Sequence, residues 1–321
     1  MTPSTVRAVV TGGAGFIGSH LCDRLRAEGR EVVAIDNLAA GDARLPFLES
    51  SGVPLEKVDI RDPECSRIIE KVSPAEIYHL AAQADVRRSV ADPVYDADVN
   101  VAGTVRIVEA ARRVGARVMT ASSGGCIYGE ADPELLPLDE TAPRRPDSPY
   151  GVSKAVMEEY LKFYRRSHGL DYVNLALGNV YGPRQDPLGE AGVVAIFGLR
   201  LLRGERCKIY GDGNQTRDFV YVTDVVDAFF RAAAAGEGET FNIGTGLETS
   251  VNELYRAIAG ICGVDEDPEY EPPRLGELQR SALDSTKAAK LLGWVPQVDL
   301  GDGLRRTVEF LRQQAKGETG L

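Results

Sequence analysis

Histidine, methionine and tryptophan are scarce in this chain of 321 residues, at three, three and one. His20, His79 and His168 lie far apart, so no metal site is expected. The five cysteines (Cys22, Cys65, Cys126, Cys207, Cys262) stand singly. Their count is odd and no CxxC occurs, which excludes zinc-ribbon spacing and a disulfide framework and fits a reducing cytoplasm. There is no Lys/Arg run, and the net charge is −11. Binding to a nucleic-acid backbone is therefore not expected. No apolar run is long enough to cross a membrane, and MTPSTVRAVVTGG has no signal-type apolar stretch, so neither a membrane nor a secretory leader is expected.

What is present is ordinary globular material, 43% apolar and 26% charged. Short apolar runs at 6–11, 31–36, 76–80, 117–121 and 172–177 read as buried parallel strands. Helical periodicity fills 15–28, 93–114 and 149–167. Strands alternating with helices predict an α/β fold, a doubly wound Rossmann sheet with helices on both faces. After Gly178 glycines and prolines loosen the pattern, and helices are expected at 223–235, 251–262, 286–292 and 300–313. The expected division is a dinucleotide-binding part at 1–177 plus about 215–246. A smaller interwoven α/β substrate lobe takes 178–214 and 247–315, and a tail takes 316–321.

The stretch VVTGGAGFIGSHL sets Gly12, Gly15 and Gly18 between a strand and an amphipathic helix. Gly12 suits a tight turn, Gly15 a close backbone approach to a pyrophosphate, and Gly18 close packing of helix on sheet. Phe16 and Ile17 belong to the same cofactor turn, whose helix N-terminus offers N–H groups to phosphates. Asp36 ends the second strand, where an acid accepts from a ribose diol and repels a 2′-phosphate. The cofactor expected is NAD rather than NADP. Asp59-Ile60 follows another apolar strand and is placed either to frame an adenine or simply to turn the chain.

In SPYGVSK, Tyr150 and Lys154 share one helix face, with Ser148 as cap and Pro149 in the first turn. A free tyrosine titrates near ~10. A lysine one turn away, together with an oxidised nicotinamide, favours phenolate and makes Tyr150 a candidate general base.

These motifs, with HLAAQADVRRS, VNVAGT, SSGGCIYGE, GNVYGPRQ, GDGNQTRDFVYVTDV and NIGTG, resemble the extended short-chain dehydrogenase/reductases, in the nucleotide-sugar epimerase branch. The resemblance spans nearly the whole chain. It implies NAD-dependent 4-epimerisation of a UDP-hexose, UDP-glucose to UDP-galactose, through a transient 4-keto sugar. It also implies a homodimer built on helices 93–114 and 149–167. By resemblance, Asn37, Leu80, Ala81 and Ala82 line the cofactor, and Asn100 and Ser122 lie on its nicotinamide side. Asn179, Val193, Arg217, Arg274 and Glu277 hold the nucleotide sugar, the two arginines by guanidinium–phosphate geometry. Arg217 paired locally with Asp218, and Arg274 as a solvated loop charge, are the plain alternatives. Arg184 is either a clamp for a C6 carboxylate, which would make the substrate UDP-glucuronate, or a loop charge. A catalytically silent NAD-binding sensor is the reading from another class, and it has no use for Tyr150 and Lys154.

One position departs from the pattern. Relatives of this kind carry Ser or Thr four residues before the Tyr of the Tyr-Gly pair. Here that tyrosine is Tyr128 and the position is Gly124. The neighbouring hydroxyl is Ser123, and a bulge at the Gly-Gly step is the expected means of presenting it to the sugar. Cys126 is a poor donor and reads as a small buried apolar residue. Dehydratases and decarboxylases of this fold carry acids in this stretch. Gly125 and Cys126 stand there instead, which argues against elimination and decarboxylation.

Overall fold

The computed structural model describes residues 5–187, 192–274 and 278–318. Its central sheet has seven strands: β1 (Arg7–Thr11), β2 (Glu31–Asp36), β3 (Leu55–Lys57), β4 (Glu76–His79), β5 (Arg117–Ser123), β6 (Tyr172–Leu177) and, later in the chain, a final edge strand at Glu239–Ile243. All pairings are parallel, and the order is β3-β2-β1-β4-β5-β6 followed by that edge strand. The chain reverses its winding between β1 and β4. A groove therefore opens at their C-terminal ends, where a doubly wound Rossmann sheet takes its ligand.

Helices cover both faces. On one lie α1 (Phe16–Ala27) and two later helices, Val222–Ala232 and Thr286–Leu292. Leu21, Leu25, Phe229, Phe241 and Trp294 form the core there. The short α2 (Leu45–Ser50) packs beside α1. On the other face α3 (Pro63–Val72) and the helices that follow β4 and β5 bury Ile69, Ile107, Leu161 and Tyr172. Between β4 and β5 the expected single helix is broken. Helices α4 (Val86–Ala91) and α5 (Pro93–Ala97) lead into a π-helical stretch, Asp98–Gly103, and then α6 (Thr104–Val114). The Thr104 hydroxyl donates to the Asn100 carbonyl (2.6 Å), and the Asn100 side chain turns away to Gln83. Single π turns of this kind often mark functional sites.

After β5 come α7 (Gly124–Tyr128) and the long α8 (Pro149–His168). Ser148 caps α8, its Oγ accepting from Gly151 N–H at 3.1 Å, and Gly169 closes it in the left-handed conformation.

A third core lies beyond the strand ends, built on Tyr181, Phe197, Ile209, Leu254 and Leu304. Its frame is β7 (Asn179–Tyr181), α9 (Val193–Leu202), β8 (Lys208–Tyr210), β9 (Thr216–Arg217) and β10 (Phe219–Tyr221). Beyond α10 (Val222–Ala232) and the edge strand β11 (Glu239–Ile243) it adds β12 (Thr249–Ser250), α11 (Val251–Cys262) and β13 (Glu269–Glu271). After α12 (Thr286–Leu292), α13 (Leu300–Glu318) completes it. Parallel pairing of β7 with β10 sets Asn179 beside Phe219, two residues after Arg217.

Candidate active site

The turn after β1 is shaped for a close visitor. Gly12 has φ +71, and a Cβ there would lie 2.7 Å from the Ala81 backbone nitrogen. A Cβ on Gly18 would meet the Gly12 carbonyl oxygen at 2.0 Å, so α1 packs on the turn only with glycine. Asp36 stands at the far side of this turn. Its Oδ2 accepts from Ala14 N–H (3.0 Å) and its Oδ1 from Leu38 N–H (2.8 Å), which leaves lone pairs over for a diol. Asn37 donates to Asp59 Oδ2 (2.8 Å), and Arg61 grips the same carboxylate. Those hydrogen bonds from Arg61 hold Asp59 down at about 2, and Ile60 packs under the π-helical Gly103. Asn37, Asp59 and Ile60 thus build the rim of the groove.

The opposite wall follows β4. Leu80 N–H donates to the Thr11 carbonyl (3.0 Å) and Ala81 N–H to Thr11 Oγ1 (3.3 Å), which seats Leu80, Ala81 and Ala82 over the glycine turn. His79 below them is buried and neutral. Burial lowers it to about 3, and the charge of Lys154 adds to this. Because the Thr104 hydroxyl is spent on Asn100, His79 Nε2–H must be the donor to it (2.9 Å). Nδ1 then accepts from Thr11 (2.7 Å).

Asn100 corrects an expectation. Its amide is already engaged by the protein. Oδ1 accepts from Gln83 N–H, and Nδ2 donates to the Gln83 carbonyl and to Asp96, so it ties the wall together. Ser122 is different. Its Oγ is buried without a partner, at the end of β5, where a cofactor amide would satisfy it. The glycine turn, the Asp36 acceptor and this orphan hydroxyl together fit NAD.

Ser123, Tyr150 and Lys154 meet at the end of β5. The Ser123 side chain lies close enough to the Tyr150 phenol and the Cys126 thiol to oppose the effect of burial on both. Lys154 Nζ donates to the Ala121 carbonyl (2.9 Å) and stands 5.7 Å from the Tyr150 ring centre. The expectation that Lys154 governs the phenol needs amending. Burial dominates and pushes Tyr150 well up, the charges of Cys126 and Asp96 add to this, and Ser123 opposes it. Burial also lowers Lys154, to about 8.

The bulge at Gly124 is absent. Strand β5 stays in register through Ser123, which pairs with Leu177, and Gly124 then opens α7. Glycine is needed there for room, since a Cβ would lie 2.4 Å from Leu283 Cδ1. Ser123 reaches the phenol without a bulge.

On the nucleotide side, Arg217 Nη1 donates to the Thr216 carbonyl (2.8 Å), and its charge reaches Cys126. Asp218 is not its ion partner in this geometry. That carboxylate accepts from Thr245, Gly246 and Leu283 and knots three segments together. Arg274 lies on the Tyr210 ring at 3.7 Å, beside a cleft of about 690 Å³ that Gln215 and Gln279 also line. Asn179 N–H bonds the Asp218 carbonyl, and Val193 opens α9. Glu277 lies outside the described residues.

Arg184 is the plain correction. Its guanidinium pairs with Asp23 of α1 (2.7 Å) and stacks on Phe47 (3.9 Å), away from the Tyr150 corner. These contacts are what the loop-charge reading expects of it. Sequence reasoning also missed Asp96, which accepts from Gln83, Asn100 and Ser153 beside α8. Its spacing of four residues before Asn100 on one helical face was the available signal.

Comparison with known proteins agrees with this geometry. Residues 8–244 match the model of the NAD dependent epimerase/dehydratase family. The UDP-glucose 4-epimerase of Mycolicibacterium smegmatis is 52% identical over 97% of this chain and 100% of its own. The crystal structure of UDP-glucose 4-epimerase with UDP-glucose from Thermotoga maritima superposes with a TM-score of 0.93. It is 46% identical over 97% of this chain and 100% of that one. The Thermus thermophilus UDP-glucose 4-epimerase complex with NAD gives 0.88 at 44% identity, over 96% and 99%.

Proposed function

The chain belongs to the NAD dependent epimerase/dehydratase family, and on that premise we propose that it interconverts UDP-glucose and UDP-galactose by inverting C4 of the hexose. The observation that carries this reading is the corner where Ser123 meets buried Tyr150 and Lys154, beside a groove that fits NAD. Gly12, Gly15, Phe16, Ile17, Gly18 and Asp36 would hold the cofactor's phosphates and ribose, with Ser122 at its amide. When bound, oxidised NAD supplies the acceptor and later donor of the hydride at C4, and a positive ring that favours ionised Tyr150.

The residues of the chain do the rest. Tyr150 takes the proton of the sugar 4-hydroxyl and returns it. Ser123 hydrogen-bonds the 4-oxygen and the phenol and keeps the two aligned. Lys154 holds positive charge beside the phenol. Arg217, Arg274 and Asn179 grip the diphosphate, so the transient 4-keto sugar can turn about that tether and present its other face.

The pairing of Arg184 with Asp23 and its stacking on Phe47 favour the neutral hexose over UDP-glucuronate. A silent sensor would have no use for the buried Tyr150–Lys154 pair. We also propose a homodimer. Val90 (63% exposed), Val94 (77%), Val152, Tyr160 and Phe163 leave an apolar face on α4, α5 and α8 that a second copy would cover. Free thiols throughout fit a cytoplasmic setting, and no described helix is long and apolar enough to cross a membrane.

The test is to give the purified protein, without added NAD, equimolar UDP-glucose and UDP-glucuronate and to follow the anomeric protons by NMR. UDP-galactose should appear. UDP-galacturonate instead, or neither product even once NAD is supplied, would overturn the assignment.

A further inference from the structure

Asp96, on α5, is fully buried. Its Oδ1 accepts from Gln83 Nε2 (3.0 Å) and Asn100 Nδ2 (2.9 Å), and its Oδ2 from Ser153 Oγ (2.7 Å). All three partners are neutral, and each comes from a different element: the β4 wall, the π-helical turn and α8. A sealed carboxylate whose hydrogen-bond partners are all neutral is costly to keep. Its neighbours show where the charge is felt. Ser153 adjoins Lys154 in the chain, and Tyr150 stands one helical turn back.

We propose that Asp96 is a positioning residue for the reactive pair. The fixed negative charge, seated by Gln83, Asn100 and Ser153, sets the pH window in which Tyr150 and Lys154 work together. The proposal rests on the reading of Tyr150 as the proton acceptor.

The groups that face the pair are few. Lys154 meets burial, Asp96 from α5 and Cys126 from α7, and its own charge acts on neutral His79 of β4. Tyr150 meets burial, Cys126, Asp96 and the Ser123 hydroxyl. Asp96 raises the proton affinity of both members. Removing its charge must therefore let both lose their protons at lower pH. The acid limb of the rate profile reports ionisation of the phenol and the alkaline limb loss of the ammonium charge, as properties of the coupled pair. A residue that only shaped the pocket would lower the plateau and leave both limbs where they are.

Asp96→Asn is the informative variant. An amide can keep all three contacts, since its oxygen accepts twice and its NH2 can donate to the Ser153 hydroxyl. In the NAD-loaded protein, both limbs of the kcat profile for UDP-glucose should move down by roughly one pH unit. Asp96→Ala should move them equally, with a lower plateau. Ser153→Ala keeps the charge and should leave the limbs in place.

A second readout needs no sugar. The 13C shift of the Lys154 ε-carbon, assigned with Lys154→Met, should titrate at lower pH in Asp96→Asn than in wild type. If wild type does not turn over UDP-glucose, the functional reading falls while this titration still decides the role of Asp96. Unmoved limbs with a lowered plateau, an unmoved lysine midpoint, or a shift in Ser153→Ala as large as that in Asp96→Asn would overturn the proposal.

Discussion

Replacing Gly124 by serine would put a hydroxyl where the family resemblance leads one to look for it, and it should harm this protein. An ideal Cβ at 124 would lie 2.4 Å from Cδ1, 2.8 Å from Cδ2 and 3.2 Å from Cγ of Leu283. Leu283 is 1% exposed, so its side chain would have to shift among packed neighbours. Its N–H is bonded to Asp218 (3.1 Å), and its neighbours Ala282 and Asp284 are both bonded to Leu138. Overpacking of this kind costs about 1–3 kcal/mol. Leu283→Ala alone opens a cavity and costs about 2–5 kcal/mol. In the double variant the serine occupies room the leucine has left, so the two costs should fall short of their sum by about 1–3 kcal/mol. Urea midpoints of the four proteins, measured at one fixed NAD concentration, give the cycle. A Gly124→Ser protein as stable as wild type, or strict additivity, would refute the claim that Leu283 is the reason for this glycine.

Ser123→Ala should lower kcat for UDP-glucose by roughly 10²-fold, with KM little changed, because the lost hydrogen bond is aimed at the reacting oxygen. Full turnover in steady-state assays would remove Ser123 from the reaction. Burial lowers His79 to about 3 against an ordinary 6.5, so between these values the unfolded chain binds a proton that the folded chain refuses. Stability from this group is complete above about pH 6.5 and is lost as pH falls toward 3, by at most ~1.4 kcal/mol per unit. Unfolding midpoints recorded across pH 7 to 4 should fall less steeply in His79→Asn than in wild type. Equal slopes would contradict the neutral, doubly bonded imidazole.

Local patterns carried much of this architecture. Strands 31–36 and 172–177 were readable as apolar runs, and helices 251–262 and 286–292 as segments between glycine and proline breaks. The cofactor turn was legible because glycine spacing, a strand and a terminal acid act within one short stretch. Tyr150 and Lys154 were legible because helical spacing alone brings them together. What escaped depended on distant partners. Gly124 makes sense only against Leu283, and Arg184 only against Asp23 and Phe47. Asn100 looked like a cofactor contact, but Gln83 and Asp96 claim its amide. The π-helical turn at Asp98–Gly103 left no local signature, since the Asn100 amide within it bonds Gln83, far away in the chain.

The central claim is that Tyr150 moves the proton at the sugar 4-oxygen. Single-turnover conversion of UDP-glucose by Tyr150→Phe, with UDP and NAD affinities measured alongside, tests it most directly. The conversion rate should fall by roughly 10³-fold while both affinities stay near wild type. A rate close to wild type, or a loss that simply follows weakened binding, would contradict the account.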